Sequence, residues 1–375
     1  MPHATVTEAP STVASRLLGW DHLEWWVGNA RAVTAWLTSG FGFRVVAYAG
    51  PETGCPDRVS YVLAQGDIRF VVTAGLGAGS DVTRHVSHHG DGVRHLAWRV
   101  DDAVATSELA AARGATVVEE PVTVSDDNGT VTTAAIASYG DTRHLLVERS
   151  GGQDGSWGPG FGADRLPPRP AGQRVGLTAI DHVVANVEEG RLDEWVEWYG
   201  RVLGFAEMHH FDAEQISTPY SALRSTVMHN GAGIVMPLNE PAPGLRKSQI
   251  DEYLQAYGGP GVQHIAVATP DVVAAVQAMG SRGVRFLAMP SEYYEDAKRR
   301  VTDYHLPWSD LERLDIEVDV DGDGYLLQIF TEMVTDRPTL FVEIIQRQGA
   351  AGFGAGNFKA LFEAIEREQA KRGNL

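Results

Sequence analysis

The sequence predicts an α+β protein of two tandem domains, each made of paired βαβββ modules that curve into a partly open sheet barrel. A C-terminal helix is expected to cover the second barrel. Three observations predict this architecture. The chain repeats itself: WDHLEWWVGN (from Trp20) returns as IDHVVANVEE (from Ile180), and HGDGVRHLAWRV (from His89) returns as YGGPGVQHIAVAT (from Tyr257). Each of these runs has the short, β-branched character of a strand and leads into a stretch with apolar spacing near 3.6 residues. Between the halves lies GGQDGSWGPGFGADRLPPRPAGQ, from Gly151 to Gln173, whose Gly and Pro density marks a linker.

Taken in order, the first half reads as strand (DHLEWW), helix, an aromatic-glycine turn (WLTSGFGFRVV, from Trp36), strands, a second opening strand (VRHLAW), a helix (ATSELAAARGATVV) and a last strand, HLLVERS. The second half runs IDHVVAN, helix, WYGRVLGFAEM (from Trp198), strands, GVQHIAVAT, the helix VVAAVQAMGSRGVRFL and the strand LFVEIIQ. The expected boundaries are a flexible tail over 1–17, an N-terminal domain over 18–150, a linker over 151–176 and a C-terminal catalytic domain over 177–375. In the tail of the second domain, Asn357 is placed to cap a helix. Phe358, Leu361, Phe362 and Ile365 then fall on one face, which must dock on something.

Composition narrows the function. At 375 residues there is enough chain for two real cores. A formal net charge of −18 argues against nucleic acid or an anionic membrane as partner. Cys55 stands alone, so no intrachain disulfide framework is possible. The first residues lack a basic-then-apolar leader, and no apolar run has spanning length, so a soluble cytoplasmic protein is expected.

Three residues break otherwise apolar strands: His182 in AIDHVVANV, His264 in GVQHIAVAT and Glu343 in LFVEIIQRQ. A polar group in a strand core is unfavourable unless satisfied. Two imidazoles and one carboxylate are the ligand set of the facial triad that holds non-haem Fe(II) with positions left open. Zn(II) accepts the same donors, so the triad alone leaves the metal open.

The DH…QH…E pattern, the module repeat and the ending GFGAGNFKALFEAIEREQ resemble the 4-hydroxyphenylpyruvate dioxygenase family of the vicinal oxygen chelate superfamily, over nearly the whole chain from about Gly19. The resemblance implies one Fe(II) per chain, held by His182, His264 and Glu343. It also implies an arylpyruvate and O2 as substrates, oxidative decarboxylation, ring hydroxylation and side-chain migration to homogentisate, as in tyrosine catabolism. Residue by residue it implies a catalytic set of Ser225, Asn239, Gln249, Gln263 and Gln328. Pro237, Phe330, Phe353 and Asn357 are implied as substrate contacts, and a homo-oligomer is expected. Hydroxymandelate synthases resemble the same pattern but lack the proline and asparagine that stand here as Pro237 and Asn239, which favours ring over benzylic hydroxylation. Val342 and Gln346 depart from the family's usual residues around the glutamate. A non-catalytic aromatic-ligand binder and a Zn or Ni isomerase are the competing classes. An intact triad speaks against the first, and the lack of further site carboxylates against the second.

The duplication also suggests a shadow triad, with His22, His95 and Glu148 at the places of His182, His264 and Glu343. Such a set reads as a vestige, filled in by Trp25, Trp26 and Trp98. DVDGDGYLLQIF, with Asp319, Asp321, Asp323 and Gly324, starts like a calcium loop but has Phe330 at the twelfth place, so it reads as a tight turn between strands. His88–His89 and His209–His210 read as solvated pairs in polar loops.

Overall fold

The computed structural model describes residues 12–152, 156–162 and 174–374, apart from 215, 219 and 323. The expected tail through residue 11, most of the linker and Asp323 lie outside the described residues, as does the side chain of Phe358.

The first half folds as β1 (Leu17–Trp26), α1 (Ala30–Gly40), β2 (Arg44–Ala49), β3 (Arg58–Gln65), β4 (Ile68–Gly75), α2 (Asp81–His89), β5 (Gly92–Val100), α3 (Ala103–Ala112), β6 (Val117–Asp126), β7 (Gly129–Ala137) and β8 (Arg143–Ser150). The second repeats it as β9 (Ala179–Asn186), α4 (Leu192–Trp198), β10 (Ala206–Phe211), β11 (Ala222–His229), β12 (Val235–Ala242), α5 (Gln249–Tyr257), β13 (Gly261–Ala268), α6 (Val272–Gly280), α7 (Ser291–Arg300), α8 (Trp308–Arg313), β14 (Glu317–Asp321), β15 (Gly324–Phe330) and β16 (Phe341–Gln348). A last helix, α9 (Phe358–Lys371), follows.

Local sequence explains the starts. Asn29, Asp102 and Asp271 each close a strand and accept a hydrogen bond from the backbone of the third residue on, at 3.0, 2.8 and 2.9 Å, starting α1, α3 and α6. Ser248 and Asp251 form a reciprocal capping box for α5. Asn357 does not act this way: no side-chain cap bond forms, and its Oδ1 instead accepts from the Tyr293 hydroxyl at 2.8 Å.

Each half makes one eight-stranded sheet, in the orders β2-β3-β4-β1-β5-β8-β7-β6 and β10-β11-β12-β9-β13-β16-β15-β14. The identical order is the duplication made visible. Two modules join through the antiparallel pairs β1–β5 and β9–β13, while β5–β8 and β13–β16 run parallel. Among the described residues the edge strands β2 and β6, and likewise β10 and β14, are not bonded to one another, so both sheets stay open. A single apolar cluster runs through both halves, with Trp98 stacked on His144 at 3.9 Å and His144 bonded to the Tyr199 hydroxyl at 2.7 Å.

Two readings change. His88 and His89 end helix α2, and His89 is buried; the buried stripe Val82, His85, His89 is helical, but its histidines look like loop residues on paper. His209 and His210 lie on strand β10, not in a loop. The hairpin β14–β15 does sit where the acidic run predicted a tight turn. Its Asp321 and Asp319 accept from the backbone of Gly352 and Gly356 and tie down the loop that leads into α9.

Candidate metal centre

Strand register brings the three ligand candidates together. Ala266, on the central strand β13, pairs with His182 of β9 on one side and Glu343 of β16 on the other. His264 is two residues from Ala266 and therefore on the same face. The methyl group of Ala266 leaves the space that the three longer side chains share. His182 Nε2 and His264 Nε2 lie 3.2 and 3.4 Å from Glu343 Oε2. All three residues are buried, at 3%, 8% and 2% exposure.

The donor set fits a metal ion. His182 Nδ1–H donates to Asp181 Oδ1 at 2.7 Å, and His264 Nδ1–H donates to Gln263 Oε1 at 2.7 Å. Both rings therefore turn Nε2 toward Glu343, the arrangement that outer partners impose on metal-binding imidazoles. Burial alone would raise the Glu343 carboxyl, but the charge and hydrogen bond of His182, then those of His264, hold it at about 2. Burial alone would lower His182, but the Glu343 charge and the Asp181 bond lift it to about 9. Burial wins at His264, which moves down. This cluster needs a positive charge at its centre: a proton in the bare chain, a metal otherwise.

Asp181 is itself gripped at both oxygens by Arg347, at 2.8 and 2.8 Å. Arg347→Met is expected to weaken metal binding by roughly 10–100-fold, since the Asp181–His182 pair loses its anchor. Metal titration of the apo chain measures this, and an unchanged affinity would show that Arg347 does not orient His182.

The triad opens into a cavity lined by Phe211, Ile216, Leu223, Phe330, Phe341, Phe353, Leu361, Phe362 and Ile365. Ser225, Pro237, Asn239, Gln249, Gln263 and Gln328 supply its other expected lining. Ser225 and Asn239 are cross-strand partners on β11 and β12. Gln263 Nε2 donates to Gln249 Oε1 at 3.1 Å, so a relay runs from α5 to His264. Gly354 has φ +71°, and a Cβ there would come within 2.8 Å of the Gln328 amide. Asn357 is the exception among the expected substrate contacts: it is fully buried outside this lining, turned to Tyr293.

The sequence reading missed Asp181, Arg347 and Phe341, which stacks on His264 at 4.8 Å. The signal for the first two was present, because Asp21 and Arg149 repeat the pair in the first half, at 2.8 Å. Gln346 has no place at the metal; it accepts from Val272 N at 2.9 Å and starts α6.

The shadow triad is corrected by the same register. Ala97 pairs with His22 on one side and Leu145 on the other, so Leu145 occupies the place of Glu343. Glu148 matches Gln346 instead and accepts from Ala103 N at 3.0 Å. Matching VER to VEI shifted the strand by three residues. His95 meanwhile spends Nδ1 on Glu24, at 2.6 Å, and faces Trp26 edge-on.

Residues 21–133 and 179–328 each match a family model described as the Glyoxalase/Bleomycin resistance protein/Dioxygenase superfamily. A 4-hydroxyphenylpyruvate dioxygenase of Aspergillus fumigatus is 43% identical over 401 aligned positions, spanning 100% of this chain and 99% of that protein. One from Xenopus tropicalis is 44% identical over 371, spanning 96% and 93%. The chain belongs to the 4-hydroxyphenylpyruvate dioxygenase family. A triply substituted 4-hydroxymandelate synthase from Streptomyces coelicolor superposes with a TM-score of 0.83 at 34% identity, covering 94% of this chain and 99% of that one. The chain thus shares its two-sheet frame with that synthase.

Proposed function

We propose that this chain converts 4-hydroxyphenylpyruvate and O2 to homogentisate and CO2 with one Fe(II) held by His182, His264 and Glu343. The observation that carries the reading is a buried two-histidine, one-carboxylate cluster opening into a phenylalanine-walled cavity, in a chain 43% identical to such dioxygenases along its whole length. Bound there, Fe(II) supplies a place where a 2-oxo acid and O2 can meet, with the electrons that O2 activation requires.

The chain's own residues bind and orient. Phe330 and Phe353 flank the cavity on either side of the triad, with ring centroids 5.9 Å from His264 and 5.2 Å from His182. They grip an aromatic ring and keep water from an oxidising centre. Gln249, its Oε1 occupied by Gln263, keeps its amide N–H groups for the substrate. Ser225, Asn239 and Gln328 offer further neutral partners for a phenol and a keto acid. Behind Gln328, burial pushes the Glu317 carboxyl well above its ordinary value. Both oxygen atoms end in product, one in the carboxylate left by decarboxylation and one in the new ring hydroxyl. Pro237 and Asn239 favour the ring over the benzylic carbon. Among the described residues no helix is long and apolar enough to cross a membrane.

The test is the product formed from 4-hydroxyphenylpyruvate by the iron-loaded chain, identified by mass and NMR. Homogentisate with one CO2 per O2 is expected. Hydroxymandelate would transfer the reading to the synthase, and ligand binding without O2 uptake would make the chain a binder.

A further inference from the structure

A second group of metal-type donors lies in the first domain, away from the repeat-equivalent place. Helix α2 presents His85 and His89 one turn apart on one face. Asp141, in the turn between β7 and β8, completes the group, and the donor atoms all lie within 4.8 Å of one another. His89 Nδ1 is 2.7 Å from the Tyr257 carbonyl, which can only accept, so this nitrogen carries the proton. Its Nε2 then faces Asp141 Oδ2 at 2.8 Å. A ring nitrogen and a carboxylate oxygen at that distance need a proton or a metal ion between them, the same choice as at the triad. His85 is 7% exposed, and its buried Nε2 has no hydrogen-bond partner. A buried imidazole nitrogen left unpaired is unfavourable, and a metal would satisfy it.

We infer that His85, His89 and Asp141 form a second metal site, for a divalent cation that favours imidazole, such as Zn(II), Co(II) or Ni(II). The selectivity follows from the surroundings. The Arg94 guanidinium lies over Trp26 at 4.9 Å, with Nη1 3.9 Å from Asp141 Oδ1. Two of the three donors are imidazole nitrogens, which penalises hard ions such as Mg(II) and Ca(II) that bind through oxygen donors. Ions that bond to imidazole nitrogen are penalised less. The Asp141 side chain is 60% exposed and opens on a cleft of about 630 Å3, so water can complete the coordination.

The site has a structural role to play between the halves. Tyr257, whose carbonyl fixes the His89 ring, ends α5, and Gln249 at the start of α5 lines the triad cavity. Arg337 of the second half donates to the His88 carbonyl at 2.5 Å and to Ala256 at 3.0 Å, holding the same two helices. A metal on α2 would fasten the first domain to the helix that carries Gln249. The site is independent of the chemistry at the triad, and its test needs no turnover.

The full-length apo chain is titrated with Co(II), and bound metal is counted after equilibrium dialysis. Two Co(II) per chain are expected. The double variant Glu343→Ala, His264→Ala should keep one, with the visible absorption of a nitrogen- and oxygen-ligated site. Asp141→Ala alone, a change in an exposed turn, should lower the count to one and leave the iron-loaded turnover unchanged. One Co(II) per wild-type chain that the triad double variant loses would overturn the proposal. So would a second Co(II) that survives both Asp141→Ala and His85→Ala. Equal competition by Mg(II) or Ca(II) would overturn the assignment to an imidazole-selecting ion.

Discussion

Glu343→Ala is expected to yield a folded chain that retains no iron at the triad and turns over at least about a thousandfold more slowly, a barrier increase of roughly 4 kcal/mol. The carboxylate is the only negative charge of the triad, and it touches both imidazoles at 3.2 and 3.4 Å. Without it, a divalent ion would meet two neutral rings in a buried site with nothing to balance its charge. The apo variant should melt below apo wild type, since one partner of a buried pair is gone, but it should still fold, because His182 can discharge to a neutral imidazole and the strand pairing on either side of Ala266 is untouched. Metal content, apo melting temperature and O2 uptake are the three measurements. Wild-type melting should rise on adding iron, and that rise should vanish in the variant. Glu148→Ala is the matched control. It removes a second acceptor at the start of α3, for Ala103 N, which costs about 1 kcal/mol, and should leave iron and turnover untouched. Iron retained by Glu343→Ala, or lost by Glu148→Ala, would mean that the register of β8 and β16 has been misread.

That control also shows where the sequence was readable and where it was not. The repeat fixed the strand and helix order, because strands of period 2 and helices of period 3.6 leave separate apolar patterns. His182 and His264 were legible because each interrupts such a pattern in a repeated motif. The match of Glu148 to Glu343 failed because β8 and β16, repeat-equivalent strands in the two sheets, can be aligned on paper in two registers. Only pairing through Ala97 and Ala266 separates them. Arg149 and Arg347, each clamped on the aspartate before the first histidine, would have given the right one. Helix α2 was lost for another reason. Its buried face uses histidine where leucine would be expected, so the stripe carries no apolar signal. Asn357 carried a good capping residue type, but the Tyr293 hydroxyl, some sixty residues upstream, competes for its oxygen, and no local rule anticipates that.

Phe362→Ala is expected to separate O2 uptake from product formation. The expectation that α9 covers the second barrel rests on this side chain more than any other. Phe362 is 2% exposed, packs with Ile216, Leu223 and Ile250, and also lines the triad cavity. Truncating a buried phenylalanine costs about 3–5 kcal/mol. The far part of α9 has separate anchors: Glu366 accepts from Thr218 at 2.7 Å, Gln369 donates to Lys247 at 3.1 Å, and Arg372 holds Glu252 at 2.6 Å. The helix should therefore stay attached while its near half opens, exposing the cavity to water. Substrate affinity should fall by roughly tenfold or more, in line with the loss of a well-packed aromatic wall. The ratio of O2 consumed to homogentisate formed should rise above one, because an unshielded oxidant is quenched before it reaches the ring. Faster amide exchange confined to the first turns of α9 would place the opening, and Phe362→Leu should restore most of the coupling by refilling the volume. If the variant keeps a ratio of one and exchanges like wild type, then α9 is a strut and water is kept out by Phe330 and Phe353 alone.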